Sequence, residues 1–323
     1  MEAAVLIEVK NITKRYGNHV AVDNLSFQVE KGMIYGFLGP NGAGKSTTMN
    51  IMTGYIAATD GTVEINGYDI LKEPEKAKKC IGYLPELPPV YPDMTVEEYL
   101  IFVAEIKQVK KAERRDQIAS IMEQTQIAEV KGRLIRNLSK GYKQRVGLAQ
   151  AIVGYPEVII LDEPTVGLDP KQIIEMRELI KTLSEKHTII LSSHILSEVS
   201  AVCDHIMIIS KGKLAASDTP EGLMTLLKGG KQLEISVLGE QERFEKILSE
   251  IEDIENYKIA ADTNKKELHG VVRFGADKDI RKELFYRLAA SDMPIMSLGL
   301  SEKSLEDVFL ALTEEETAHD SDI

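Results

Sequence analysis

Cysteine is scarce: Cys80 and Cys203 are the only two in 323 residues. They lie far apart and in no spacing that suits a metal or a redox pair, which excludes a disulfide scaffold. Two buried thiols in a reducing compartment are the expectation. Positive charge is also in deficit, with 39 Lys and Arg against 51 Asp and Glu and a formal charge of -12. Nucleic-acid binding draws most of its affinity from cations that neutralise phosphates, so no nucleic-acid partner is expected. No uncharged apolar run approaches the ~20 residues that cross a bilayer. The N-terminus, Met-Glu-Ala-Ala-Val, carries an acid rather than the basic start of a secretion signal. The expectation is a chain that neither spans the membrane nor carries a secretion signal, with any membrane association running through a protein partner.

What remains is ordinary globular composition, 43% hydrophobic and 28% charged, in a chain long enough for two domains that each bury a core. From Val5 to about Leu227, strand-like runs alternate with helical periodicity, and Gly, Pro, Asn and Asp stand at the joints, so an α/β layering is expected. Leu6 to Val9, Leu25 to Val29 and Gly61 to Ile65 read as strands of a β subdomain, while the wholly apolar Met33 to Leu38 reads as a buried parallel strand. A helical subdomain is predicted from Thr95 to Leu138, with Val96, Tyr99, Leu100 and Val103 on one face and Ile118 and Ile121 on another. Val158 to Leu161 and Thr188 to Leu191, joined by a helix over 171–184, form a βαβ unit and hence parallel strands.

Lys228-Gly229-Gly230-Lys231 reads as a linker. Beyond it the pattern is strand 232–238, helix 240–252, strand 256–261, strand 267–274, helix 277–290 and strand 293–300, the order of a split βαβ, ferredoxin-like domain. A last helix from Ser304, with the stripe Leu305, Val308, Phe309 and Leu312, is expected to dock on that sheet, and the acidic tail over 314–323 to be a solvated end. The expected domains are therefore 1–228, 229–313 and the tail 314–323.

The strongest local signal is Gly39-Pro40-Asn41-Gly42-Ala43-Gly44-Lys45-Ser46, which fits G-x-x-x-x-G-K-[ST] and lies between a buried strand and a helix. Glycines let successive N–H groups close around phosphates, Lys45 bridges the β and γ oxygens, and Ser46 can ligate Mg²⁺; Gly39, Asn41, Gly42, Gly44, Lys45, Ser46 and the adjoining Thr47 are thus expected to hold ATP. Val158-Ile159-Ile160-Leu161-Asp162-Glu163 is an apolar strand ending in two acids. Asp162 is expected to hold Mg²⁺, and the neighbouring Glu163 to orient or deprotonate the attacking water.

Leu138-Ser139-Lys140-Gly141-Tyr142-Lys143-Gln144-Arg145, just upstream of that strand, resembles the signature sequence of ABC transporter ATP-binding subunits. The resemblance covers residues 4 to about 228 and is closest to bacterial exporter-type cassettes of the drug, antibiotic and gliding-motility group. It implies a P-loop ATPase fold with β and helical subdomains, ATP hydrolysis coupled to transport, and action as half of a dimer in which Ser139 and Gly141 of one chain close over the ATP held by Lys45 of the other. It also implies Tyr16 as the adenine-stacking aromatic, Asp169 of Gly167-Leu168-Asp169 as the D-loop acid, and His194 as the switch histidine. A separate transmembrane permease, docked on the helical subdomain at the cytoplasmic face, is the implied partner, with export the implied direction. Two departures stand out. Glu86 occupies the place of the usual Q-loop glutamine, where a carboxylate can still ligate metal or orient water, and Lys140 and Tyr142 replace the commoner Gly and Gln of the signature.

Overall fold

The computed structural model describes residues 4–226, 231–262, 267–275 and 278–301. They form two compact units, the first running to Pro220 and the second beginning at Glu221. The Lys228-Gly229-Gly230 linker, the helix from Ser304 and the tail lie outside the described residues.

In the first unit, β1 (Val5–Tyr16) and β2 (His19–Glu30) form a hairpin whose ends, Tyr16 and His19, pair across Gly17-Asn18. Gly17 has φ 61°, which a two-residue turn of this kind requires. β3 (Ile34–Leu38) is buried at every residue and feeds α1 (Lys45–Met52). β4 (Asp60–Ile65) pairs with β1, β5 (Tyr68–Asp69) pairs with β4, and α2 (Pro74–Lys79) leads into β6 (Ile81–Leu84).

Three helices follow, α3 (Val96–Ile106), α4 (Arg114–Gln124) and α5 (Lys140–Ile152). α3 starts at a capping box: the Thr95 hydroxyl accepts from the Glu98 N–H, and the Glu98 carboxylate accepts from the Thr95 N–H at 2.9 Å. The apolar faces expected from the periodicity, Val96, Tyr99, Leu100 and Val103 on α3 and Ile118 and Ile121 on α4, are buried. The chain then returns through β7 (Val158–Leu161), α6 (Pro170–Ser184), β8 (Thr188–Ser193), α7 (Leu196–Ser200), β9 (His205–Ser210) and β10 (Lys213–Asp218).

The sheet order is β10-β9-β3-β8-β7-β6, parallel except for the β9–β10 pair, so β3, β7 and β8 are central and their Val, Ile and Leu are covered on both faces. Gly36 permits the close approach of the α7 region to β3, because a Cβ there would lie 2.1 Å from Val199 Cγ1 and 2.9 Å from Cys203 Sγ. Both cysteines are free and buried.

The second unit opens with α8 (Pro220–Leu226, its first residue closing the first unit) and continues β11 (Lys231–Leu238), α9 (Gln241–Ser249), β12 (Ile254–Asp262), β13 (Glu267–Phe274), α10 (Arg281–Ala290) and β14 (Ile295–Ser301). Its sheet, ordered β12-β13-β11-β14 with antiparallel neighbours, is the split βαβ arrangement expected from the pattern. Phe244, Ile247 and Leu248 of α9 and Leu284 and Leu288 of α10 pack on Leu233, Ile235, Val237 and Val272. α10 begins four residues later than predicted because Asp279 accepts the Arg281 N–H at 3.1 Å and ends the preceding loop. Among the described residues no helix is long and apolar enough to cross a membrane.

Candidate functional site

The parallel strands of the first unit deliver their chemistry at one end. Residues 39–46 follow β3, Glu86 follows β6, Asp162 and Glu163 follow β7, and His194 follows β8. The carboxyl ends of parallel strands are where α/β sheets bind ligands, since each strand hands its next residues to the same crevice.

The turn from β3 to α1 depends on glycine. Gly42 and Gly44 adopt φ 83° and 102°, and a Cβ at Gly44 would meet the Ala21 carbonyl at 2.5 Å. Gly44 is the N-cap of α1, whose first turn carries no acid, so its free N–H groups and the positive end of its dipole are available to an anion. Lys45, 5% exposed, donates to the carbonyls of Gly39 at 2.7 Å and Pro40 at 3.2 Å and lies 3.5 Å from Glu163 Oε1.

A cavity of about 450 Å³ opens over this loop. Ten of the residues singled out in the sequence line it: Tyr16, Asn41, Gly42, Gly44, Lys45, Ser46, Thr47, Glu86, Glu163 and His194. Asp162 is buried beside it, with Oδ1 accepting from Ser46 Oγ at 3.2 Å, and Gly39 contributes the carbonyl that holds Lys45. His194 Nδ1 stands 3.0 Å from Glu163 Oε2, so the Glu163 carboxylate is held between an ammonium and an imidazole. Glu163 has φ 49°, a left-handed conformation that a non-glycine residue keeps only where its surroundings enforce it.

Ser139 and Gly141 are elsewhere, lining a separate cavity of about 280 Å³. Ser139 caps α5, accepting from the Tyr142 N–H at 3.4 Å. Asp169 lines neither cavity; it caps α6 by accepting from the Gln172 N–H at 2.9 Å. The Gln172 side chain lies against Gly141, where a Cβ would be 2.7 Å from its Oε1.

Sequence reasoning missed His19, Ala21 and Val166, which also line the larger cavity, and Ser192. Ser192 is fully buried, donates to Asp162 Oδ1 at 2.6 Å and accepts from the Glu163 N–H at 2.8 Å. Its place beside the two acids comes from the β7–β8 register, in which Leu161 pairs with Leu191, a non-local fact that no local motif encodes.

Comparison with known proteins agrees with this geometry. A family model described as ABC transporter matches residues 22–166. The chain is 35% identical over 311 residues to the bacitracin transport ATP-binding protein BcrA of Bacillus licheniformis, covering 96% of this chain and 97% of that protein. It is 32% identical over 309 residues to the linearmycin resistance ATP-binding protein LnrL of Bacillus subtilis, covering 95% and 98%. The chain belongs to the ABC transporter family as an ATP-binding subunit.

The family likeness extends to solved structures. One of an ATP-binding subunit of an ABC transporter superposes with a TM-score of 0.63 at 31% identity, covering 68% of this chain and 92% of that one. A dimeric bacterial ABC transporter cassette superposes with a TM-score of 0.61 at 25% identity, covering 66% and 98%. The first unit is thus an ABC cassette of the P-loop ATPase fold that binds nucleotide and couples ATP hydrolysis to transport.

Proposed function

We propose that this chain hydrolyses Mg-ATP in composite sites formed by two of its copies and thereby drives a separate transmembrane permease that exports an antibiotic-like compound from the cytoplasmic face. The observation that carries the proposal is the division of its chemistry: Lys45, Ser46, Glu163 and His194 surround one cavity, while Ser139 and Gly141 face another. A single chain holds both halves of an ATP site and cannot close them on one nucleotide unless a second copy supplies the complement. A related cassette of dimeric structure supports the pairing of two copies.

In this reading the loop N–H groups and Lys45 hold the ATP phosphates, Tyr16 stacks on the adenine, and Thr47 and Asn41 complete the cradle. Oxygen donors at Ser46, Asp162 and Glu86 suit Mg²⁺, a hard cation that takes oxygen ligands and completes its shell with phosphates and water. Bound there, Mg²⁺ supplies charge neutralisation of the phosphate oxygens. Glu163 is the base that takes a proton from the attacking water, and His194 fixes its carboxylate. Ser139 and the Gly141 N–H of the second copy, flanked by its Asp169, cover the γ-phosphate, so hydrolysis removes the contacts that join the two copies. The bacitracin and linearmycin relatives support export and an antibiotic-like cargo. The second unit, which carries no residue of this site, is assigned a regulatory or dimer-supporting role.

Mixing two inactive variants tests the composite site. Lys45→Ala homodimers lack the lysine in both sites and Ser139→Arg homodimers lack the serine in both, but a mixed dimer has one intact site. Random pairing places half the chains in mixed dimers with one of two sites whole, so recovery of up to about a quarter of wild-type turnover is expected. No recovery with both variants folded and present as dimers refutes sharing of the site.

A further inference from the structure

We infer that Glu198 is a positioning residue that sets the spacing between Glu163 and His194. Glu198 lies in α7 and is 7% exposed. Its Oε2 accepts hydrogen bonds from Thr165 Oγ1 at 2.5 Å and from Ser193 Oγ at 3.2 Å. Thr165 is two residues beyond Glu163, and Ser193 immediately precedes His194. One oxygen is therefore shared by the two loops that present the base and the histidine. The same two loops meet again where His194 Nδ1 stands 3.0 Å from Glu163 Oε2, so the contacts close a ring.

Several features give that ring a task. Burying a carboxylate costs free energy unless its lone pairs are used, and hydroxyl donors to a carboxylate form strong hydrogen bonds. Glu163 is in the left-handed region at φ 49°, a conformation that relaxes when its restraints are removed. Ser193 carries the restraint onward, because its Oγ also accepts the Ile195 N–H at 3.0 Å and so fixes the turn that aims His194. Arg177 lines a hollow of about 10 Å³ together with Thr165, Ser193 and Glu198, and its Nε is buried without a hydrogen-bond partner among the described residues. The hollow is the size of one water molecule, and both the Arg177 cation and the Glu198 carboxylate line it.

The inference rests on the reading of Glu163 and His194 as the hydrolytic pair, so Glu163→Gln is measured in parallel on the full chain. Thr165→Val and Glu198→Leu are expected to lower kcat by about tenfold or more, with KM for ATP changed by less than about twofold, because spacing matters to the transition state and not to phosphate binding. Glu198→Gln keeps an oxygen that accepts both hydroxyls and is expected to retain kcat to within about threefold, and adding Thr165→Val to Glu198→Leu to cost nothing more. If Glu198→Leu does not fold, Thr165→Val and Glu198→Gln decide. Thr165→Val turning over ATP like wild type while Glu163→Gln is inactive overturns the role of Glu198 alone. So does a KM that rises in step with the fall in kcat. Wild-type turnover by Glu163→Gln overturns instead the reading of the hydrolytic pair.

Discussion

Replacing Glu163 by Gln separates the two tasks assigned to this side chain. The amide keeps the size of the carboxylate and can still bond His194 Nδ1, now 3.0 Å away, but it is a poor base and carries no charge toward Lys45 at 3.5 Å. The base contributes about 10²–10⁴-fold to hydrolysis, equivalent to about 3–5 kcal/mol of barrier at 1.36 kcal/mol per decade. The charge acts in the opposite direction on binding. At 3.5 Å and an effective dielectric of about 20, the Lys45–Glu163 attraction is about 5 kcal/mol before desolvation. The γ-phosphate must compete with that attraction for the ammonium, and the carboxylate also repels the phosphate. Turnover is therefore expected to fall by two orders of magnitude or more, while ATP binds as tightly as in wild type or tighter. Phosphate release measured beside fluorescence titration with a labelled ATP reads both quantities. In size-exclusion chromatography with Mg-ATP the variant is expected to accumulate as a dimer, since only hydrolysis parts the two copies. Turnover within about threefold of wild type, or ATP affinity weakened tenfold (about 1.4 kcal/mol), refutes the assignment of Glu163 as base facing Lys45.

Ser192→Ala deletes a fully buried hydroxyl that serves both acids, leaving the Glu163 N–H without its acceptor. A loss of about 2 kcal/mol in stability, or about 4–8 °C in Tm, is expected from calorimetry, together with a kcat reduced about tenfold; unchanged Tm and kcat would show that Ser192 supports neither acid. The pH response of folding has a defined sign. His187, with Nδ1 donating to the Pro156 carbonyl at 2.6 Å, and His205 are both held below the ordinary histidine value of 6.5, chiefly by burial. Between the folded pKa and 6.5 the unfolded chain binds more protons, so stability present above 6.5 is lost as pH falls through that window. Thermal melts at pH 7.5 and 5.5 should show the loss, and replacing both histidines by Asn should flatten it; an equal slope in the double variant would trace it to other groups.

Sequence alone determined the elements of the cassette and its phosphate loop, because those signals are local. The Gly39–Ser46 turn needs glycines at φ 83° and 102°, the apolar runs of β3, β7 and β8 are those of strands covered on both faces, and the capping box at Thr95 is written within four residues. The alternation of strands and helices beyond residue 231 likewise specified a split βαβ order, since successive strands there can bury their apolar faces in few ways. The tertiary structure decided what lies beside what. Ser192 reaches Asp162 through the β7–β8 register, Glu198 of α7 bonds both Thr165 and Ser193 in a region that Gly36 lets pack closely on β3, and Gln172, whose N–H the Asp169 cap accepts, lies against Gly141 of α5. These contacts join residues tens of positions apart, and their geometry is set by strand pairing and packing, which act at long range and leave no fixed spacing in the chain.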